Sequence, residues 1–452
     1  MQATDFHAGY FWTPHGWRSD ARVRIAEVRI ADIARNDSVA LAPRFVLPGM
    51  PNLHSHAFQR AMAGLAERRG SSDDSFWSWR ETMYAFAARI GPEDLRAIAA
   101  QLYAEMLEAG YTQVCEFHYL HHAPDGKPYA DPAAMSLALV EAARETGIGL
   151  TLLPVLYQTR GFDGGPLGER QRRFGMGVED YLRLLERLRA LESPTLKAGI
   201  ALHSLRAVPE DAMRAVLGSP PAQGGPIHIH IAEQVGEVEE CVAMRGARPV
   251  RWLFEHADVD ARWCLVHATH LDEGEIASIA KSGAVAGLCP TTEANLGDGL
   301  FPLERHLDAG GVLGIGSDSH ISVSPVEELR WLEYGQRLAT RRRNIFARQV
   351  GAGVGECLWR AALAGGTQAA GLQPFGVGAR ADMLVLDEDS PLLAARDSNH
   401  ALDSFLFAGN MPLVRDVMVA GEWVVRDFRH RDRERIAARY RACVEKLAQG
   451  IG

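Results

Sequence analysis

The sequence predicts an α/β fold: a closed parallel (β/α)8 barrel of the TIM type, flanked by a small β-domain built from both ends of the chain. Three observations carry that expectation. Eight short strand-like runs alternate with helical or loop stretches between Phe45 and His320, the pattern of parallel strands joined by crossovers. Nearly every run is apolar early and gains ionisable or polar residues at its C-terminal end, where such barrels build active sites. On both flanks, short pieces alternate apolar and polar residues, as half-buried strands do. The competing arrangement is an open doubly wound sheet, whose strand ends would not converge on one point.

In chain order the eight runs are 45–56, 111–120, 147–157, 196–208, 226–234, 262–272, 283–295 and 311–320. Their polar ends carry His54 and His56, His118 and Tyr119, His203, His230 and Glu233, His267, Thr291 and Glu293, and Asp318. Between them, 92–110 opens with a proline and two acids suited to a first helical turn and stops at Gly110. Asp131-Pro132 opens another helix, and 178–191 sets leucines at helical spacing against an arginine-rich face. The flanking strands fall in 23–46 and in 379–425, while 429–452 reads as a charged helix with a solvated face. The expected division is 1–47 with 373–452 for the β-domain and its C-terminal helix, and 48–372 for the barrel.

A length of 452 residues allows three domains, or one large barrel with an appendage. Apolar residues at 47% and charged residues at 23% exclude a disordered chain. The 48 Lys and Arg against 57 Asp and Glu leave a net charge of −9, which disfavours gripping phosphate backbones or anionic membranes. Neither nucleic acid nor membrane is therefore an expected partner. The 6 cysteines lie far apart without a Cys-x-x-Cys pair, so neither a disulfide framework nor a thiolate zinc site is expected. The N-terminal segment lacks the basic start and apolar stretch of a signal peptide, and no apolar run approaches the ~18 residues of a membrane span. A cytoplasmic protein is the expectation, and a homodimer is the base-rate one.

The strongest chemical signal is Asn52-Leu-His-Ser-His56. Residues two apart on a strand face the same side, so His54 and His56 can aim at one ion inside the barrel. His228-Ile-His230-Ile-Ala-Glu233 closes the fifth run, Val266-His267 the sixth and Gly316-Ser-Asp318 the eighth. Three imidazoles and a carboxylate from such ends suit a divalent ion such as zinc. A bound zinc brings the pKa of its water towards ~7, which points to metal-assisted hydrolysis. His228 shares the parity of His230 but lies one step deeper and reads as a packed, hydrogen-bonded residue. His270 and His320 sit just past their strand ends and read as loop residues.

On this ordered set of His-x-His, His-x-x-Glu, His and Asp, covering almost the whole chain, the sequence resembles the amidohydrolase superfamily. Those metal-dependent hydrolases and deaminases combine a (β/α)8 barrel with a β-sandwich formed from both termini. The resemblance implies that His54, His56, His230 and Asp318 hold the metal, and that Glu233, His267 and Asp318 handle protons. Binuclear members use a carbamylated lysine at the end of the fourth strand. Here Lys197 lies near the start of that strand and the active end carries His203, so one metal is expected, Zn2+ or another divalent ion such as Fe2+.

Pocket charge narrows the substrate, because a carboxylate calls for fixed cations and arginine takes one bidentately. The fourth run continues His203-Ser-Leu-Arg206, Arg80 ends the aromatic, polar loop 73–80, and Gln59 follows the His-x-His. Together with Phe-Trp-Ser-Trp-Arg-Glu, Glu-Phe-His-Tyr and His-Ile-Ala-Glu-Gln, these motifs are similar to those of the deiminases that act on N-formimino-L-glutamate in histidine degradation. The resemblance implies a hydrolase of C–N bonds in linear amidines, converting this small anionic substrate and water to N-formyl-L-glutamate and ammonia. Arg80 and Arg206 would bind carboxylates with help from Gln59 and Tyr119, and His203 would face the formimino group. The alternative is a deaminase of a neutral heterocycle of the cytosine, guanine or triazine type. A non-catalytic scaffold is disfavoured, because every ligand and proton-transfer position is intact.

Overall fold

The structure, a computed structural model, describes residues 4–35, 45–67 and 76–449. Eight parallel strands, Met50–Ser55, Tyr111–His118, Gly149–Leu156, Ile200–Ser204, Ile227–Ile231, Trp263–His267, Val285–Leu288 and Val312–Ile315, pair in chain order. A further short strand, Leu196–Ala198, pairs with the third. The second strand, Tyr-Thr-Gln-Val-Cys-Glu-Phe-His, is buried at every position. Such runs are buried on both faces, as in parallel sheets covered by helices outside and packed side chains inside.

The barrel closes where the first strand meets the eighth. The Asp318 N–H donates to the His54 carbonyl at 3.0 Å, and the His56 N–H donates to the Asp318 carbonyl at 3.2 Å. Gly316 lets the two strands approach, since a Cβ there would lie 2.8 Å from both Cβ and N of His54. Helix Pro92–Ala109 begins and ends as expected. Proline opens it, Asp94 Oδ2 accepts the Gly91 N–H at 3.1 Å, and Gly110 stops it at φ +108°.

Both termini build a second sheet, whose strands run in the order Arg429–His430, Glu422–Arg426, Val414–Val419, Met383–Leu386, Phe45–Pro48, Thr4–Thr13, Gly16–Ala26, Arg29–Arg35. Phe11, Val23, Ile25, Val46, Met383 and Met418, from both halves, enclose a core of its own. The expected run 45–56 is thus divided. Phe45–Pro48 pairs with Met383–Val385 in this sheet, and the chain enters the barrel past Gly49, where a Cβ would strike Thr112. Strand Thr4–Thr13 lies outside the expected 23–46, and residues 36–44 of that stretch fall outside the described residues. Among the described residues no helix is long and apolar enough to cross a membrane.

Two further expectations are corrected. Only Val285–Leu288 of run 283–295 is strand; Pro290 then starts the short helix Pro290–Leu296, so Thr291 and Glu293 sit on a helix. Arg80 lies on helix Phe76–Ala87 rather than in a loop, and 73–75 are outside the described residues. The C-terminal helix Arg433–Ala448 keeps most of its charges in solvent, Lys446 at 66% and Arg435 at 57% side-chain exposure, and some of them also reach the barrel. Lys446 pairs with Asp94 at 2.8 Å and Arg439 with Glu145 at 2.9 Å, on two barrel helices.

Candidate active site

At the C-terminal mouth of the barrel the structure gathers His54, His56, His230 and Asp318 so that one donor atom of each lies within 4.8 Å of every other. The Nε2 atoms of His54 and His56 are 3.1 Å apart and those of His54 and His230 2.9 Å. Asp318 Oδ1 lies 3.2 Å from His56 Nε2 and 3.4 Å from His54 Nε2.

The second nitrogens explain this arrangement. His56 Nδ1 donates to the Phe117 carbonyl at 2.8 Å and His230 Nδ1 to the His203 carbonyl at 2.9 Å. A carbonyl only accepts, so Nδ1 carries the proton and the Nε2 lone pair points at the centre. Burial holds all three imidazoles below their ordinary pKa, well below for His54 and His230, so they are neutral donors. His54 Nδ1 is buried without a partner, while the His56 and His230 lone pairs and the Asp318 carboxylate converge on His54 Nε2, a donor set that could hold a divalent cation.

Beside this cluster, His267 Nε2 lies 3.8 Å from both Glu233 Oε1 and Asp318 Oδ2, and its Nδ1 donates to Glu293 Oε1 at 3.2 Å. Burial disfavours a charged His267, but Glu233, Glu293 and Asp318 together outweigh it and raise the pKa to about 10. Burial also raises the Glu233 carboxyl, against the opposing charge of His267. The backbone is left-handed at Ala232 (φ +52°), His267 (+68°) and Asp318 (+43°). Non-glycine residues occupy that region at a cost of about 1–3 kcal/mol each, a strain that clusters where side chains must be aimed.

The pocket above is lined by Gln59, Arg80, Tyr119, His203 and Arg206 together with Trp79, Tyr84, Tyr157 and Phe174. Gln59 Nε2 donates to the Tyr119 hydroxyl at 2.9 Å, leaving the phenol proton to point elsewhere, and Gln59 Oε1 is buried without a partner. Arg80 donates to the Tyr84 hydroxyl at 2.6 Å. His203 is held neutral, chiefly by burial and next by Arg206, and packs its ring 4.4 Å from that of Tyr157. A larger cavity of about 430 Å³ opens at the other end of the barrel, against Lys197 and Arg380.

The residues that the resemblance assigned to metal, proton transfer and substrate therefore come together here, all but His54 lining the pocket and His54 lying against His56 and His230, whereas His118 packs on His121 and Thr291 bonds Glu328. His228 is packed, its Nε2 donating to the Ala369 carbonyl at 2.9 Å, and His320 is buried against Ser317 and Ser55. The support of His267 by Glu293, a contact between residues 26 apart that no local spacing signals, was not legible in the sequence; Glu293 also accepts the Cys289 N–H at 2.8 Å. The sequence reading also missed Tyr84, which is i+4 from Arg80 once 76–87 is recognised as helix.

The profile of the amidohydrolase family matches residues 45–424, from an inner strand of the second sheet through the whole barrel and back into that sheet. The chain belongs to the amidohydrolase family. Amidohydrolases of this family depend on a bound metal, and the cluster of His54, His56, His230 and Asp318 could hold one. Among curated amidohydrolases, a formimidoylglutamate deiminase of Pseudomonas aeruginosa is 56% identical over 444 residues, covering 96% of this chain and 97% of its own. A crystal structure of an amidohydrolase from Brucella melitensis superposes with a TM-score of 0.93 at 46% identity, covering 98% of this chain and 99% of that one. An adenosine deaminase from Xanthomonas campestris with bound zinc shares the fold, with a TM-score of 0.80 and 21% identity across 98% of both chains.

Proposed function

We propose that this amidohydrolase hydrolyses N-formimino-L-glutamate to N-formyl-L-glutamate and ammonia, using a single zinc ion held by His54, His56, His230 and Asp318. The observation that carries the reading is Arg206. Its guanidinium lines the pocket without a hydrogen bond or ion pair among the described residues, and Arg80 lines the same pocket. A neutral heterocycle offers such a cation uncharged acceptors alone, whereas a carboxylate both neutralises it and satisfies its fork. The Pseudomonas aeruginosa relative, 56% identical, supports the same substrate.

His54, His56, His230 and Asp318 would hold a divalent ion, which would supply hydroxide near neutral pH by lowering the pKa of a water towards ~7. Asp318 takes the proton that the water gives up, and His267 orients the oxygen towards the amidine carbon by hydrogen bonding. A C–O bond forms, leaving a tetrahedral carbon between two nitrogens. Glu233, whose burial favours the protonated form, gives its proton to the terminal nitrogen, which takes a second proton from Asp318; the C–N bond breaks and ammonia leaves. The leaving nitrogen needs that proton because amide ion is far too basic. The hydroxyl proton passes to the Glu233 carboxylate, which completes the formyl C=O and restores the acid. Arg80 and Arg206 bind the carboxylates, Gln59 and Tyr119 add polar contacts, and neutral His203 faces the formimino group.

Steady-state kinetics on N-formimino-L-glutamate, N-formimino-L-aspartate and cytosine, with zinc content measured alongside, test this. Formiminoglutamate is expected to be preferred, and Arg206→Ala to raise its KM by about 10- to 100-fold, the worth of a charge-assisted hydrogen bond of about 1.5–3 kcal/mol. Faster turnover of cytosine, or an unchanged KM in the variant, would sink the reading.

A further inference from the structure

The fifth barrel strand presents a problem of parity. Side chains two apart on a strand share a face, so three residues apart they point to opposite sides. His230 and Glu233 are three apart, yet both line the pocket. The strand ends at Ile231, and Ala232 turns the chain in the left-handed region at φ +52°. That turn is what brings the Glu233 side chain round to the face of His230.

A left-handed alanine is unfavourable by itself, so something must hold it. Glu237, in the first turn of helix Val235–Arg245, does so with both carboxylate oxygens. Oε1 accepts the Ala232 N–H at 3.2 Å and Oε2 accepts the Glu233 N–H at 2.9 Å. This is not ordinary helix capping. The N-cap residue, Gln234, makes no side-chain cap bond, and the amides served precede it. The carboxylate bridges the turned residue and the acid it aims. Holding Glu237 in this place has a cost, because burial and then the nearby Glu233 charge raise its pKa to about 7. Surface helix solvation alone would not select a carboxyl here.

We propose that Glu237 is a positioning residue for the reaction: it fixes the Ala232–Glu233 turn and thereby aims the Glu233 carboxyl at the departing nitrogen. The inference rests on the reading of Glu233 as the proton donor.

Zinc-loaded full-length enzyme is tested as Glu237→Ala, Glu237→Gln and Glu233→Gln, and as Glu237→Ala combined with Glu233→Gln, with kcat, KM and zinc content measured for each. Glu237→Ala is expected to lower kcat by about 10- to 100-fold, the usual effect of removing a support of a working group, with KM and zinc content within about threefold. Glu237→Gln, which keeps one acceptor oxygen, is expected to fall between wild type and alanine, and it carries the test if the alanine variant does not fold. In the Glu233→Gln background the same change is expected to have under about a threefold further effect, because residues that act as a unit are not additive. A Glu237→Ala enzyme with normal kcat, or one whose loss is equal in both backgrounds, overturns the positioning role. Near-normal turnover in Glu233→Gln alone overturns the reading beneath it, and that result is visible without any Glu237 variant.

Discussion

Glu116, on the second barrel strand, ties the strand that carries the His-x-His to the barrel wall. It accepts the Ser55 hydroxyl and the Ala57 N–H, each at 2.6 Å, and the Tyr103 hydroxyl at 3.2 Å. Ser55 lies between the two histidines of the His-x-His, so these bonds fix where both rings point. Burial pushes the Glu116 pKa up to about 7 against the pull of its donors, from an ordinary 4.5. The folded state therefore holds this proton more tightly than the unfolded chain. The stabilisation is fully present below the ordinary carboxyl range and is lost as pH rises through about 7, a change of order 3 kcal/mol. In urea unfolding at pH 5 and pH 7.5, wild type should lose about 2–3 kcal/mol more than Glu116→Gln on going to the higher pH. An equal loss in both proteins would remove Glu116 as the cause. His54 and His56 were legible in the sequence because a strand has a fixed period. The aim of Glu233 was not, because it depends on a turn held by a residue on the next helix.

The seam between the first and eighth strands decides whether the donor set exists. His54 and Asp318 exchange backbone contacts across it, and below them Asn52 Nδ2 donates to Ser317 Oγ at 2.6 Å while the Ser317 N–H donates to Asn52 Oδ1 at 3.1 Å. Gly316→Ala would place a methyl group 2.8 Å from His54 and wedge the seam open. Overpacking of that kind costs about 1–3 kcal/mol, and spreading the ligands should weaken zinc binding by at least about tenfold. Chelator competition and thermal unfolding measure the two effects; unchanged zinc affinity would mean that the seam does not set the ligand geometry. At this scale the sequence was uneven. Helix Pro92–Ala109 announced both of its ends by proline, acids and glycine, whereas 45–56 and 283–295 each read as one run. An apolar stretch does not reveal which sheet it joins, or that a proline within it starts a helix.

Across the whole molecule, the end of the chain returns to brace the barrel. Glu145, on helix Ala134–Thr146, meets Arg96, Arg435 and Arg439 at 3.3, 2.7 and 2.9 Å, the last two from the C-terminal helix, and its side chain is only 4% exposed. Glu145→Ala should lower stability by about 1–3 kcal/mol with kcat and KM unchanged, because the cluster is remote from the pocket. A fall in kcat without loss of stability would contradict that separation. The sequence by itself determined the alternating strands and helices, the face on which the histidines gather and the residue types of the donor set. These depend on local periodicity and on chemistry that a side chain carries wherever it sits. Only the tertiary structure decided that His267 rests on Glu293, that His54 and Asp318 meet across the barrel seam, and that Arg80 and Arg206 face one pocket. Those are distances between residues brought together by barrel closure and helix packing, and no period along the chain encodes them.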